Sequence, residues 1–268
     1  MIRRFMYLGD VMGEPGLSLL ERELNKLRLA NKVDLVIAQA ENVSQGRGCT
    51  PEDFNRLKAA GVDFCTGGNW TLWRKDIVPQ LNDPNQPIIR PANYTKGNAG
   101  LGWKYAHTGF GDVLIVSLLG KTVGRDSNLK LNNPLSTIDE ILESQADVLR
   151  VATVVNFHGD YSSEKVVIGQ YLNGRVSAVF GDHWHVPTAD ARILSEGTAH
   201  VTDVGMVGVL NASLGVKTSV IVERWRDGKL MPNELESSGP RQLNAILFDV
   251  DTLTGKAVSL EQLNLIYD

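Results

Sequence analysis

Val176-Ser177-Ala178-Val179-Phe180-Gly181-Asp182-His183-Trp184-His185 is the stretch on which the fold turns. Its first five residues are mostly β-branched, aromatic or small and apolar, which predicts a buried strand over 176–180. The apolar run then stops at a glycine and gives way to a carboxylate and two imidazoles. His183 and His185 are two residues apart, so an extended segment would turn both rings to one side.

The same pattern recurs on both sides of that stretch. Strands are predicted over 5–9, 33–40, 62–66, 112–119 and 151–157. Between them, Leu17, Leu20, Leu24 and Leu27 recur at helical spacing, and Thr50 before Pro51 supplies a cap and a first-turn proline. Further helices are predicted over 134–147 and from Ser162 to about Asn173. The last third reads differently, with strands over 217–223, 243–250 and 257–263 and no good helix between them. Strand–helix alternation followed by consecutive strands predicts a layered α/β fold with mixed sheets, read as one domain over residues 1–268.

What these strands share is how they end. The first closes on Gly9-Asp10, the second on Glu41-Asn42, the third on Gly68-Asn69 and a later one on Asn156-Phe157-His158. In open α/β sheets the carboxyl edge of the strands forms the ligand crevice. A single strand-end Asp is commonly a turn or a helix cap, and a single buried His is commonly just a satisfied ring. Here three of five histidines fall at predicted strand ends together with carboxylates and amides, and that coincidence points to a metal site. Mixed nitrogen and oxygen donors without thiolate favour manganese, iron or zinc. Two adjacent ions could activate a water and clamp phosphoryl oxygens.

Composition bounds the remaining possibilities. The chain has 268 residues, 43% hydrophobic and 22% charged, with a formal net charge of −4. That balance suits a globular core and excludes an extended nucleic-acid surface. No apolar run approaches the ~18 residues of a membrane span. The first residues read as a strand and not as an export signal, and Cys49 and Cys65 are too few for a disulfide framework, so a cytoplasmic protein is expected. Gly46-Arg47-Gly48 reads either as a flexible turn or as a phosphate-facing guanidinium. Arg90-Pro91-Ala92-Asn93-Tyr94 reads as a substrate loop or a rigid turn, and Thr202-Asp203-Val204-Gly205-Met206 as a segment that closes over the site or packs beneath it, packing being favoured.

Six motifs in one order carry a family resemblance. They are Gly-Asp-Val-x-Gly at 9–13, Ala-Glu-Asn at 40–42, Gly-Asn at 68–69, Phe-His at 157–158, Gly-x-His-x-His-Val at 181–186 and Thr-Asp-x-Gly-Met at 202–206. The chain resembles the bacterial calcineurin-like metallophosphoesterases of the YmdB type over essentially its whole length. The resemblance implies a sandwich of two mixed β-sheets flanked by helices. It implies one metal on Asp10, Glu41, Asn42 and His185, and a second on Glu41, Asn69, His158 and His183. It further implies iron or manganese, with zinc or magnesium as alternatives, and a homo-oligomer. The implied activity is hydrolysis of small phosphodiesters such as 2′,3′-cyclic nucleotides by a metal-bridging hydroxide.

One position departs from that pattern. The family carries a His directly after the Gly-Asn, as proton donor or phosphate contact, and this chain has Trp70. Indole only donates and does not titrate usefully, so it cannot be a general acid. His200, near a position where the family usually has an aromatic residue, is a candidate replacement imidazole; the alternative is a peripheral strand residue. Two functions follow: a phosphodiesterase that handles good leaving groups best, or a metal-binding nucleotide sensor with weakened chemistry in which Trp70 stacks on a base.

Overall fold

A computed structural model describes residues 1–123 and 129–268. Strand β1 (Ile2–Leu8) alternates strictly, with Phe5 and Tyr7 turned to one face and Met6 and Leu8 to the other. Then follow β2 (Asp10–Val11), α1 (Gly13–Ala30), β3 (Leu35–Gln39), α2 (Pro51–Ala60), β4 (Phe64–Thr66) and the short helix α3 (Val78–Asn82). The Thr50 side chain accepts from the Asp53 N–H at 3.2 Å, with Pro51 in the first turn, as its sequence predicts. Next come β5 (Trp103–Thr108), β6 (Gly111–Leu119), α4 (Pro134–Ser144), β7 (Ala152–His158), α5 (Ser162–Tyr171) and β8 (Ala178–Asp182). The chain finishes with β9 (Arg192–Ile193), β10 (Ala199–Val201), β11 (Met206–Val209), α6 (Thr218–Asp227), β12 (Arg241–Asp251) and β13 (Lys256–Tyr267).

These strands form two mixed sheets. The first runs β2-β11-β12-β1-β3-β4, with β13 also paired to β12; the second runs β5-β6-β7-β8-β10-β9. In the first sheet β1, β3 and β4 run parallel at one end, and β12 pairs antiparallel with β1, β11 and β13; in the second, parallel β6–β7–β8–β10 lie between antiparallel β5 and β9. Phe5, Tyr7, Ile37 and Phe248 from the first sheet meet Val113, Ile115, Val154 and Phe180 from the second in one apolar layer. On the far side of the first sheet, Leu17, Leu20 and Leu24 of α1 and Phe54 and Leu57 of α2 cover Met6, Leu8 and Val36. On the far side of the second, Ile138 and Ile141 of α4 and Ile168 of α5 cover Leu114, Val155 and Val179. The result is a four-layer helix–sheet–sheet–helix sandwich.

Two expectations are corrected. Residues 217–223 are not a strand but the start of α6, closed by Gly228 in the left-handed region (φ 65°). Val220 to Val222 is a short β-branched run, and such a run does not by itself separate strand from helix. The strand predicted over 176–180 instead spans Ala178–Asp182. That shift carries Asp182 into the strand, on the same inward face as Ala178 and Phe180.

Candidate metal centre

Strand parity builds the site. Along β7, Ala152 and Val154 face the inter-sheet layer, so Asn156 and His158 continue that face at the carboxyl end. Gln39 of β3, Thr66 of β4 and Asp182 of β8 do the same. The apolar layer therefore changes into a buried polar one where the strands end. Asp182 is its hub. Its Oδ2 accepts from the Tyr7 hydroxyl at 2.9 Å, from Gln39 Nε2 at 3.2 Å and from Asn156 Nδ2 at 2.5 Å. Its Oδ1 lies 2.6 Å from His158 Nδ1. Ser117 Oγ, 2.9 Å from Asn156 Oδ1 and 2.7 Å from the Gly67 carbonyl oxygen, ties this layer to the turn that carries Asn69.

Bonding to Asp182 puts the His158 proton on Nδ1 and leaves the Nε2 lone pair facing the site. Glu41 Oε1 stands 2.9 Å and Asn69 Oδ1 3.0 Å from that nitrogen. His158 Nε2, Glu41 Oε1 and Asn69 Oδ1 thus converge, an arrangement that a proton on the ring or a bound cation can satisfy. Burial would lower the His158 pKa, but the charges of Glu41 and Asp182 outweigh it and hold it well above the usual imidazole value. Without an ion, a proton takes that place. Burial, reinforced by the Asp182 charge, likewise pushes the Asp10 carboxyl well above the ordinary range. Asp10 Oδ1, Glu41 Oε1 and Asn42 Oδ1 are buried oxygens without a hydrogen-bond partner. Such orphans are rare in folded proteins, and finding three at one sheet edge marks a ligand cage.

Neighbouring bonds orient the other donors. Asn42 Nδ2 donates to the Gly46 carbonyl oxygen at 2.9 Å, which turns Oδ1 the other way. His185 Nδ1 lies 3.1 Å from the Leu214 carbonyl oxygen, so Nε2 faces Asp10, 3.9 Å from its Oδ1. His183 Nε2 bonds Asp160 Oδ1 at 2.7 Å, and the His183 N–H donates to Asp10 Oδ2 at 3.0 Å. The rings of His183 and His158 meet edge to face at 4.4 Å. Glu41, His158 and His183 each offer one ligating atom within 4.8 Å of the others. Burial and the neighbouring imidazoles hold both His183 and His185 at about 4, neutral and able to ligate at pH 7.

The segment carrying these two histidines is not extended. His183 has φ 106° and His185 φ 62°, so the turn and not strand alternation aims the rings. Left-handed backbone at two non-glycine residues is strained, and a buried strut holds it. Asp203 Oδ2 accepts from Lys165 Nζ at 2.7 Å and from the Trp184 N–H at 2.9 Å, while Lys165 Nζ sits 4.0 Å from the Trp184 ring centroid. The 202–206 motif therefore packs beneath the site. Glycine is needed at Gly68, where a Cβ would lie 2.1 Å from Glu41 Oε2.

All seven expected ligands, Asp10, Glu41, Asn42, Asn69, His158, His183 and His185, meet at this edge. His200 does not join them. On β10 it lies between inward-facing Ala199 and Val201, so its ring turns outward against Gly169 of α5, with Nδ1 2.9 Å from the Val179 carbonyl oxygen. The idea that it restores an imidazole to the site is corrected by strand parity. Trp70 does border the site, its N–H donating to Glu41 Oε2 at 3.0 Å. Arg90 and Tyr94 act as a support: the Tyr94 hydroxyl donates to the Gly68 carbonyl oxygen at 3.3 Å, beneath the Arg90 guanidinium. The sequence pattern does not single out Asp182 or Asp160 as functional residues, although for Asp182 an acid directly before a His-x-His pair is a usable signal.

A helix-flanked sandwich of two mixed sheets, with carboxylates, amides and imidazoles gathered at strand ends, defines a calcineurin-like metallophosphoesterase. The chain belongs to the YmdB-like protein family, whose model matches residues 6–263. It is 34% identical over 261 residues to a 2′,3′-cyclic-nucleotide 2′-phosphodiesterase of Bacillus subtilis, covering 97% of this chain and 96% of that one. Among solved structures it is similar to a phosphatase of Mycoplasma pneumoniae (TM-score 0.91, 30% identity, 99% and 94% of the two chains). It is also similar to a hypothetical protein of Thermus thermophilus (TM-score 0.88, 32% identity, 99% and 100% covered).

Proposed function

We propose that this protein is a dinuclear metal-dependent phosphodiesterase acting on small phosphodiesters, with 2′,3′-cyclic nucleotides as the substrate class. The observation that carries the reading is the convergence of His158 Nε2, Glu41 Oε1 and Asn69 Oδ1, together with the orphaned oxygens of Asp10, Glu41 and Asn42. Asp10, Glu41, Asn42 and His185 would hold one ion, and Glu41, Asn69, His158 and His183 the other, with Glu41 shared. The donor set suits iron or manganese, with zinc or magnesium as alternatives. When bound, such a pair supplies an activated water near neutral pH and neutralises charge on the phosphoryl oxygens.

The protein's own part is to orient those donors. Asp182 holds the His158 tautomer, Leu214 holds His185, and Gly46 holds Asn42. Trp70, at the family's His position, supplies no proton to the leaving group. Phenolate-like leaving groups need none, and alkoxide leaving groups do. The reading is tested by assaying metal-loaded protein on bis(p-nitrophenyl) phosphate and on adenosine 2′,3′-cyclic phosphate. Hydrolysis of both, faster on the aryl ester, is expected; hydrolysis of neither overturns it. Metal-loaded protein that binds the nucleotide and cleaves no diester would instead favour a nucleotide sensor, a reading that rests on Trp70.

A further inference from the structure

Beside the metal centre the surface carries an aromatic and cationic platform. The Trp70 and Trp73 rings meet edge to face, with centroids 5.3 Å apart at 89°. The Arg47 guanidinium lies over both, 4.7 Å from the Trp70 centroid and 5.4 Å from that of Trp73. Trp73 is 56% exposed, so part of its ring is open to solvent beside the site. Arg47 is exposed too, and among the described residues no carboxylate pairs with its side chain. The platform joins the metal centre directly, because the Trp70 N–H donates to Glu41 Oε2.

The platform is also held in shape. Arg74 Nε donates to the Arg47 carbonyl oxygen at 3.2 Å, and Arg74 Nη2 to the Ser44 carbonyl oxygen at 3.1 Å. These bonds fasten the loop carrying Arg47 to the turn carrying both tryptophans. Gly48, at φ +74°, allows the close fit, since a Cβ there would come within 2.6 Å of Arg74 Cγ. A preorganised surface loses less entropy when a ligand lands on it.

We infer that Trp73, backed by Arg47 and Trp70, is a base-stacking platform that selects nucleoside phosphodiesters over diesters lacking a base, purines above pyrimidines. This deepens the phosphodiesterase reading and rests on it. Indole faces stack on any nucleobase, more strongly on the larger purine ring systems, and an unpaired guanidinium can add stacking and meet a phosphate oxygen. The phosphate would sit at the metal centre and the base over the exposed Trp73 ring.

The test compares adenosine 2′,3′-cyclic phosphate with the 2′,3′-cyclic phosphate of methyl ribofuranoside, which has no base, using metal-loaded protein. For Trp73→Ala, KM for the adenosine ester should rise about 10-fold, within the ~5- to 100-fold expected for one lost stack. Its kcat should hold within about twofold, KM for the base-free ester should not change, and Trp73→Phe should recover most of the loss. Equal shifts on both esters, or no shift on either, would overturn the platform. If wild type cleaves neither ester, the phosphodiesterase reading fails separately, and calorimetric titration with AMP then decides. Binding weakened about 10-fold by Trp73→Ala supports the platform, and equal binding by wild type and variant overturns it.

Discussion

His158 and His200 are both buried histidines on the second sheet, and they teach opposite lessons. Each has Nδ1 bonded to an oxygen, to Asp182 in one case and to the Val179 carbonyl in the other. What separates them is the face of the sheet. His158 points into the inter-sheet layer, where Glu41 and Asn69 from the opposite sheet bring oxygens to its Nε2. His200 points outward under α5, and its buried Nε2 meets no partner. An unpartnered buried atom is therefore not a site by itself; convergence of several acceptors from both sheets is.

Substitution at the two positions should give the largest contrast. His158→Ala is expected to lower kcat/KM on bis(p-nitrophenyl) phosphate by at least ~10²–10³, the scale of losing one charge-stabilising contact at a transition state. His200→Leu should cost stability of about 1 kcal/mol through its lost hydrogen bond and leave kcat/KM within about threefold. A His200→Leu enzyme as impaired as His158→Ala would break the comparison.

The second effect sharpens it from the other direction. If His200 cannot serve because of its face, an imidazole placed at the site's border should serve. Trp70→His is expected to raise the rate on adenosine 2′,3′-cyclic phosphate by up to ~10², toward the lower end of what a positioned acid contributes. The gain on the nitrophenyl ester should be much smaller. Unchanged rates on both substrates in steady-state assays would remove the proton-donor argument.

Third in size is the role of Asp182, which hydrogen-bonds His158 alone among the expected ligands. Asp182→Asn should weaken metal affinity about 10- to 100-fold, the usual cost of disturbing a residue that orients a metal-bound imidazole. Competition with a chelator would read this directly. Unaltered affinity would make the polar layer a packing device only.

The smallest effect concerns pH in metal-free protein. His185 titrates at about 4 in the fold because it is buried and beside His183, against an ordinary value of 6.5. A depressed imidazole pKa means the unfolded chain binds more protons between those values, so this stability is present above pH 6.5 and lost as pH falls toward 4. Metal-free His185→Asn should therefore lose less stability than wild type on acidification across that window, by on the order of 2 kcal/mol. Equal losses in denaturant titrations at pH 7 and pH 4.5 would contradict it.

Much of this was legible in the sequence because it lies in local strand parity. Asp10, Glu41, Asn69 and His158 each close an apolar run, and so mark the carboxyl edge without knowledge of register. Asp182 was harder, because the strand was read as ending at Phe180, two residues early. The aim of His183 and His185 depends on left-handed backbone that no residue type announces, held by Lys165, Asp203 and Trp184 from three separate segments. Residues 217–223 misled because β-branched residues tolerate a helix when its exposed face is polar. His200 was readable: Ala199 and Val201 face inward, which forces the residue between them outward.

Metal content tests the central claim most directly. Purified wild type, His158→Ala and His200→Leu should be loaded with manganese or iron, desalted and measured by elemental analysis. Two ions per chain in wild type and His200→Leu, and at most one in His158→Ala, is the expected result. A wild type that retains no ion, or a His158→Ala variant that keeps both, would contradict the account.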